Sequence, residues 1–205
     1  MPSTRGRRSD AEVVAAIRTA VIEEFDEVGL GRLTMERIAQ RSGIAKTSLY
    51  RRWDSPQAVL LDAVRSAFPH ETVSATDDLR HDLIAALKLL VDWMDTPTAR
   101  AVAAILLDRA RYPELAEAVY SDVFEPAGGR FTSTVLHHYA RIGRIDPARL
   151  TPVVLDIGEA LVLKIAFDTG ALPGERTLAD IVDQAILPAV GPTPEPGRGL
   201  DFSRT

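Results

Sequence analysis

Five donors or cations cluster on one side of a short helical stretch within TMERIAQRSGIAKTSLYRRW, residues 34–53: Lys46, Thr47, Ser48, Arg51 and Arg52. The chemistry open to them is recognition of nucleic acid. Arg and Lys bond guanine O6 and N7, Thr and Ser reach bases or phosphates, and the hydroxyl of Tyr50 can bond a phosphate. Thr34, placed to cap the preceding helix, joins the candidate set. Signals for catalysis are thin. The chain has no cysteine, so disulfides, zinc–thiolate sites and cysteine nucleophiles are excluded. Asp156 and Glu159 lie three apart and, with His138, raise acid/base or metal chemistry. No His-x-x-x-His or Glu-x-x-His element accompanies them, and no metal, cofactor or catalytic set is assigned.

Two short helices must position the basic face. Met35, Ile38 and Ala39 form one stripe of the first, and Leu49, Tyr50 and Trp53 one stripe of the second. Between them Gly43 can take the φ > 0 conformation that a tight inter-helix turn needs. Thr34 at the N-cap and Glu36 in the first turn suit the start of the first helix. Two such helices joined by a glycine-containing turn make a helix-turn-helix, whose second helix enters the DNA major groove. The plainer reading of the same pattern is an αα-hairpin with a solvated basic face.

A third helix, 10–28, is expected before them. Asp10 is read as its cap, Val13, Ile17, Val21 and Phe25 as its core side, and Gly29 and Gly31 as its end. Ser55-Pro56 opens another at 55–68. The charge is divided accordingly. Residues 1–53 hold ten basic and seven acidic side chains, net +3, against −8 for the remainder and −5 overall. A basic head on an acidic body can bind DNA locally while the body stays off it.

GIAKTSLYRRW followed by DSPQAVLLDAV resembles the helix-turn-helix signature of the TetR/AcrR family of transcriptional regulators (tetracycline-repressor-like). The match runs through Ile38-Ala39, Gly43, Leu49-Tyr50 and Trp53, and covers roughly residues 10–68. ARYPELAEAVY and LADIVDQAILP carry a looser likeness. One position departs: the family often has a phosphate-contacting lysine after the serine that opens the fourth helix, and here proline follows Ser55.

The chain beyond residue 76 reads as helices at 78–94, 97–110, 113–140, 147–168 and 177–187. Pro126-Ala-Gly-Gly129 is expected to bend or break the third, Asp146-Pro147 to open the fourth and Pro188 to stop the last. The last two are apolar around much of their circumference, which suits either the chain's own core or an isologous dimer. The resemblance implies the dimer, with Val154, Ile157, Gly158, Leu161, Ile165, Ile181, Val182 and Ala185 as interface candidates. It also implies a ligand pocket in the first half of the body, for which Trp93, Met94, Phe131, His138, Tyr139 and Glu159 are the candidates.

The reading is an all-α chain. A basic arm, 1–9, expected to be disordered, precedes a helix-turn-helix domain, 10–53. A connecting helix and linker, 54–76, leads to a helical dimerisation and ligand-binding domain, 77–188, and a disordered tail, 189–205. The expected function is that of a cytoplasmic, homodimeric DNA-binding regulator, not an enzyme. It would repress at a palindromic operator and be released by a small apolar or aromatic effector. The alternatives are a DNA-binding dimer with no physiological ligand and, less favoured, an all-α enzyme using Asp156, Glu159 and His138. No signal-peptide-like apolar run follows the basic N-terminus, and the most apolar stretch, 153–167, is too charged to span a bilayer.

Overall fold

A computed structural model describes residues 9–69, 75–125 and 131–191. The basic residues Arg5, Arg7 and Arg8, His70, the Pro126–Gly129 break and the tail beyond 191 lie outside the described residues. The protein is helical, with no strand among the described residues.

The chain forms two compact units that do not follow chain order: residues 1–70 with 92–129, and 71–91 with 130–205. The first holds α1 (Asp10–Val28), a 3-10 turn (Leu30–Arg32), α2 (Met35–Ser42), α3 (Lys46–Tyr50) and α4 (Pro56–Ala67). To these it adds α6 (Pro97–Leu107) and α7 (Pro113–Val119), which runs on as a π-helical turn, Tyr120–Phe124. The division between units falls inside α5 (Leu79–Met94). The rest of α5 belongs to the second unit, with α8 (Phe131–Arg141), a 3-10 turn (Pro147–Arg149) and α9 (Pro152–Thr169). α10 (Glu175–Ile181), a second π-helical turn (Val182–Ile186) and α11 (Leu187–Val190) complete it.

Local chemistry explains most boundaries. α1 is capped by Ser9, not by Asp10: Ser9 Oγ accepts from the Glu12 N–H at 3.2 Å, and the Glu12 carboxylate accepts from the Ser9 N–H at 2.7 Å. This reciprocal box satisfies two donors at once, which Asp10, one residue inside, would not do. Asp146-Pro147 opens only the short 3-10 turn. The long helix starts later, where Thr151 caps Val154 at 3.3 Å and Pro152 takes the first helical position. The helix expected to reach residue 110 ends at Leu107. Pro188 does not stop the last helix, which continues to Val190. Pro188 follows the π-helical turn directly, as the second residue of α11.

Within the first unit, α1 packs on α2, α4 and α6. Ile17, Val21, Ile38, Leu49, Leu60 and Val64 are sealed in its core. In the second, Leu83, Leu87, Leu136, Tyr139, Val162 and Ile186 play that part. Gly158 of α9 is closely surrounded there. A Cβ at this position would stand 2.9 Å from Ile186 Cδ1 and 3.2 Å from both Leu87 Cδ2 and Thr132 Cγ2. No helix among the described residues is long and apolar enough to cross a membrane.

Candidate DNA-binding interface

The head is held rigid by buried charge. Glu24 of α1 is almost wholly buried and is taken by Arg37 and Arg41, one turn apart on α2. Burial pushes the Glu24 carboxyl up, but bonds from Arg41 and Arg37 outweigh it and hold the group below the usual carboxylate range. Arg41 also reaches Glu27 and, at 3.8 Å, Glu23. On the other side of α1, Arg18 forks onto Asp62 of α4 at 2.9 and 3.2 Å and donates to Ser66 at 2.8 Å. Asp62 takes a further bond from Arg65 at 2.8 Å and is held low by the same balance of burial against bonds from Arg18 and Arg65. Arg100 of α6 pairs with Asp26 of α1 at 2.8 Å. Sequence reading missed Glu24, Arg37, Arg41, Arg18 and Asp62. The available signal was acids at 23, 24 and 27 of one apolar-striped helix opposite arginines four apart on the next.

Thr34, extended at φ −136°, accepts the Arg37 N–H at 3.3 Å, so its hydroxyl serves as the α2 cap. Gly43 ends α2 in the left-handed region at φ 67°, where a Cβ would be strained. The turn is stiffened by Ser42, whose Oγ donates to Ala39 O at 3.2 Å and accepts from Ile44 N at 3.3 Å.

α3 is a single turn and a half. Leu49 is its anchor and is fully buried, while Tyr50 is 49% exposed and does not share the buried stripe. With α3 ended at Tyr50, the chain turns through Arg51 and Arg52 before Trp53, and one helical period does not span all three apolar positions. Lys46, Thr47, Tyr50 and Arg51 stand exposed on the outer side, and Ser48 is half-buried. Lys46 pairs with Glu36 of α2, and its ammonium lies 5.5 Å from the Tyr50 ring centre. The Arg51 guanidinium makes no hydrogen bond or ion pair with any described residue. Arg52 differs: its side chain is only 16% exposed, bonded to the Ser48 carbonyl at 3.0 Å and paired with Asp10. Ser55 and Pro56 start α4 as a cap and first residue, with Ser55 Oγ accepting from Ala58 N at 3.1 Å. A cleft of about 400 Å³ behind them is lined by Arg18, Arg52, Trp53, Leu61, Asp62 and Arg65, among others.

This arrangement fits a helix-turn-helix, and the comparisons agree. A family model described as "Bacterial regulatory proteins, tetR family" matches residues 17–63. One described as "Tetracyclin repressor-like, C-terminal domain" matches residues 73–185, more than half of the chain. The chain belongs to the TetR family. It is a transcriptional regulator with a DNA-binding helix-turn-helix. An uncharacterized HTH-type transcriptional regulator of Mycobacterium tuberculosis is 25% identical over 167 residues, which are 81% of this chain and 82% of that one. Another, YdeS of Bacillus subtilis, is 27% identical over 131 residues, covering 62% and 64%. The crystal structure of the TetR family transcription regulator SCO0332 superposes with a TM-score of 0.62 at 27% identity, over 88% of this chain and all of that one. A putative TetR-family transcriptional regulator from Mesorhizobium loti shares the fold at a TM-score of 0.58 and 17% identity, over 88% of this chain and 96% of that one.

In this TetR-family chain the candidate pocket residues fall in both units. Trp93 and Met94 belong to the first, where Trp93 meets the Phe68 ring edge-on at 5.2 Å and Phe124 at 6.4 Å. Phe131, His138, Tyr139 and Glu159 belong to the second. Phe131, His138 and Glu159 are half-buried, while Tyr139 is fully buried. Its ring stands edge-on to His138 at 5.3 Å. Among the described residues no group of three or more His, Asp and Glu side chains is arranged to hold a metal.

The dimer candidates separate by depth. Gly158, Ile181 and Val182 are buried in the chain's own core. Val154, Ile157, Leu161, Ile165 and Ala185 are half-buried. On the outer side of α9, Val153 and Phe167 are each 73% exposed and Leu163 44%.

Proposed function

We propose that this TetR-family regulator acts in the cytoplasm as a homodimeric repressor that binds a palindromic operator and is released by a small apolar or aromatic molecule. The observation that carries the dimer is α9. Of its eighteen residues only Gly158 and Val162 are buried, while Val153, Leu163 and Phe167 recur at helical spacing on its outer face. Such a stripe suits a second copy related by a two-fold axis, with Val154, Ile157, Leu161 and Ile165 at its margins. Dimerisation also suits the head. A recognition helix of five residues reads few base pairs, and two copies double that on a palindrome. Lys46, Thr47, Ser48, Tyr50 and Arg51 are the proposed DNA contacts, with Arg52 and Thr34 holding the ends of α3 and α2. Effector release then follows as a population shift, in which DNA and effector prefer different head spacings and each weakens the other's binding.

A second reading keeps the DNA-binding dimer and drops the effector. Tyr139 favours it, since this pocket candidate is fully buried and its hydroxyl is spent on Asp82 at 2.8 Å.

Selection of bound fragments from random-sequence DNA tests the first part. A palindrome with half-sites about one helical turn apart and steep salt dependence is expected, and failure to enrich any sequence overturns the operator reading. Screening apolar and aromatic compounds for release from the selected duplex tests the second. Release by none, with the dimer intact, leaves the ligand-free reading standing.

A further inference from the structure

Glu36 carries the wrong sign for a surface that meets a polyanion. It stands in the first turn of α2, its side chain 61% exposed, and it takes the ammonium of Lys46 from the first turn of α3. The same ammonium faces the Tyr50 ring at 5.5 Å. One cation of the recognition surface is thus held from two sides by groups belonging to that surface. The Arg52–Asp10 pair provides the contrast. Arg52 is largely buried and bonded to a backbone carbonyl as well, so its pairing belongs to the architecture. Lys46 is 44% exposed, and a pair exposed at both ends exchanges readily for a competing anion.

We propose that Glu36 is a specificity-determining residue acting together with Lys46, and that the pair reads a G·C base pair in the major groove. This rests on α3 being the recognition helix. On an unrelated duplex, Lys46 can leave Glu36 only for a backbone phosphate. The Glu36 carboxylate is then left unpaired beside other phosphates, and the exchange gains little. On a G·C edge both partners find complements. Guanine offers O6 and N7 to the ammonium, and cytosine offers its N4 amino group to the carboxylate. The pair therefore taxes backbone-only binding and spares one base pair, which raises the ratio of specific to non-specific affinity without adding a net charge.

The experiment compares wild type, E36Q, K46Q and the double variant by selection on random duplexes and by titration of the selected and an unrelated duplex at several salt concentrations. E36Q is expected to bind the unrelated duplex about three- to tenfold tighter, with a log–log salt slope steeper by about one as Lys46 takes a phosphate. Its selected sites are expected to lose the cytosine preference at one position per half-site, with adenine gaining, since glutamine bonds adenine N6 and N7. In the K46Q background, Glu36→Gln is expected to tighten the unrelated duplex clearly less, by the relief of carboxylate–phosphate repulsion alone, and to leave the slope unchanged. Both residues are exposed, so the melting temperatures should coincide. Equal tightening with Lys46 absent would overturn the proposal, because Glu36 would then act as a diffuse charge. So would an unchanged base preference in E36Q. If wild type itself selects no sequence, the operator reading falls and takes this inference with it.

Discussion

Tyr139 donates a 2.8 Å hydrogen bond to Asp82 inside the second unit, joining α8 to α5, and Asp82 also accepts from Thr76 N at 3.0 Å and Thr76 Oγ1 at 2.7 Å. Both side chains are completely buried. Burial alone would raise the Asp82 carboxyl, but the Thr76 and Tyr139 bonds outweigh it and hold the group low. Burial and the adjacent carboxylate push the phenol up to about 12. Tyr139→Phe removes one bond from a buried charge and should lower stability by about 1–3 kcal/mol. Because the folded phenol binds its proton more tightly than the unfolded one, its contribution is present below about pH 10 and lost as pH rises toward 12. Chemical denaturation at pH 8 and above pH 10 checks both points; the variant should lack that alkaline loss.

Acid should unfold the protein through its low carboxyls. Glu24, Asp62 and Asp82 all titrate below their ordinary range when folded. As pH falls through about 4 the unfolded chain takes up these protons first, so stability is full above that point and declines below it. Urea midpoints between pH 6 and 3 measure the slope. Glu24→Gln should flatten it, and a slope identical to wild type would mean that the Arg37–Glu24–Arg41 cluster is not formed in solution.

Arg51 and Arg52 are neighbours with different expected losses. Arg51→Ala should weaken operator binding, by about 1–3 kcal/mol if it bonds a guanine, and leave melting and dimerisation unchanged. Arg52→Ala should also destabilise the head, because Asp10 and the Ser48 carbonyl lose their partner. Equal melting temperatures for the two variants would contradict this division.

Gly158 should resist enlargement. Alanine gains helix propensity, of the order of 1 kcal/mol, against close contacts of its Cβ with the side-chain ends of Ile186, Leu87 and Thr132, so Gly158→Ala is expected to be nearly neutral. Gly158→Val adds two methyl groups to a Cβ already pressed against Ile186, Leu87 and Thr132 and should cost about 1–3 kcal/mol. Thermal denaturation of both variants reads the difference.

The outer face of α9 is tested by Phe167→Glu. An exposed substitution changes monomer stability by about 0.5 kcal/mol or less. Two copies of the glutamate brought into a shared apolar interface should shift the assembly toward monomer in sedimentation, and an unchanged dimer would move the interface elsewhere.

Sequence periodicity and end signals located the helix-turn-helix and most helices because those signals are local. Thr34, Gly43 and Ser55-Pro56 each act within one turn of chain, and each does in the fold what its residue type dictates. Where two local signals competed, residue type did not choose between them. Ser9 and Asp10 are both good caps, and the side chain of Glu12 decided for Ser9.

What the amino-acid sequence determined alone is an all-α chain with a basic head, an anchor at Leu49 and a family signature in residues 34–64. Only the tertiary structure decided which cations remain available. Arg37, Arg41, Lys46, Arg51 and Arg52 are all cations of the helix-turn-helix stretch, and residue type alone does not say which of them are paired. In the fold, Glu24 takes the first two, Glu36 holds the third, Asp10 takes the last, and Arg51 has no such partner among the described residues. Tertiary packing likewise turned Gly158, Ile181 and Val182 inward and left Phe167 outside. The reason is physical. A charge or an apolar group is spent or free according to what the rest of the chain brings within a few ångströms of it, and partners 10 to 42 residues away leave no trace in local periodicity.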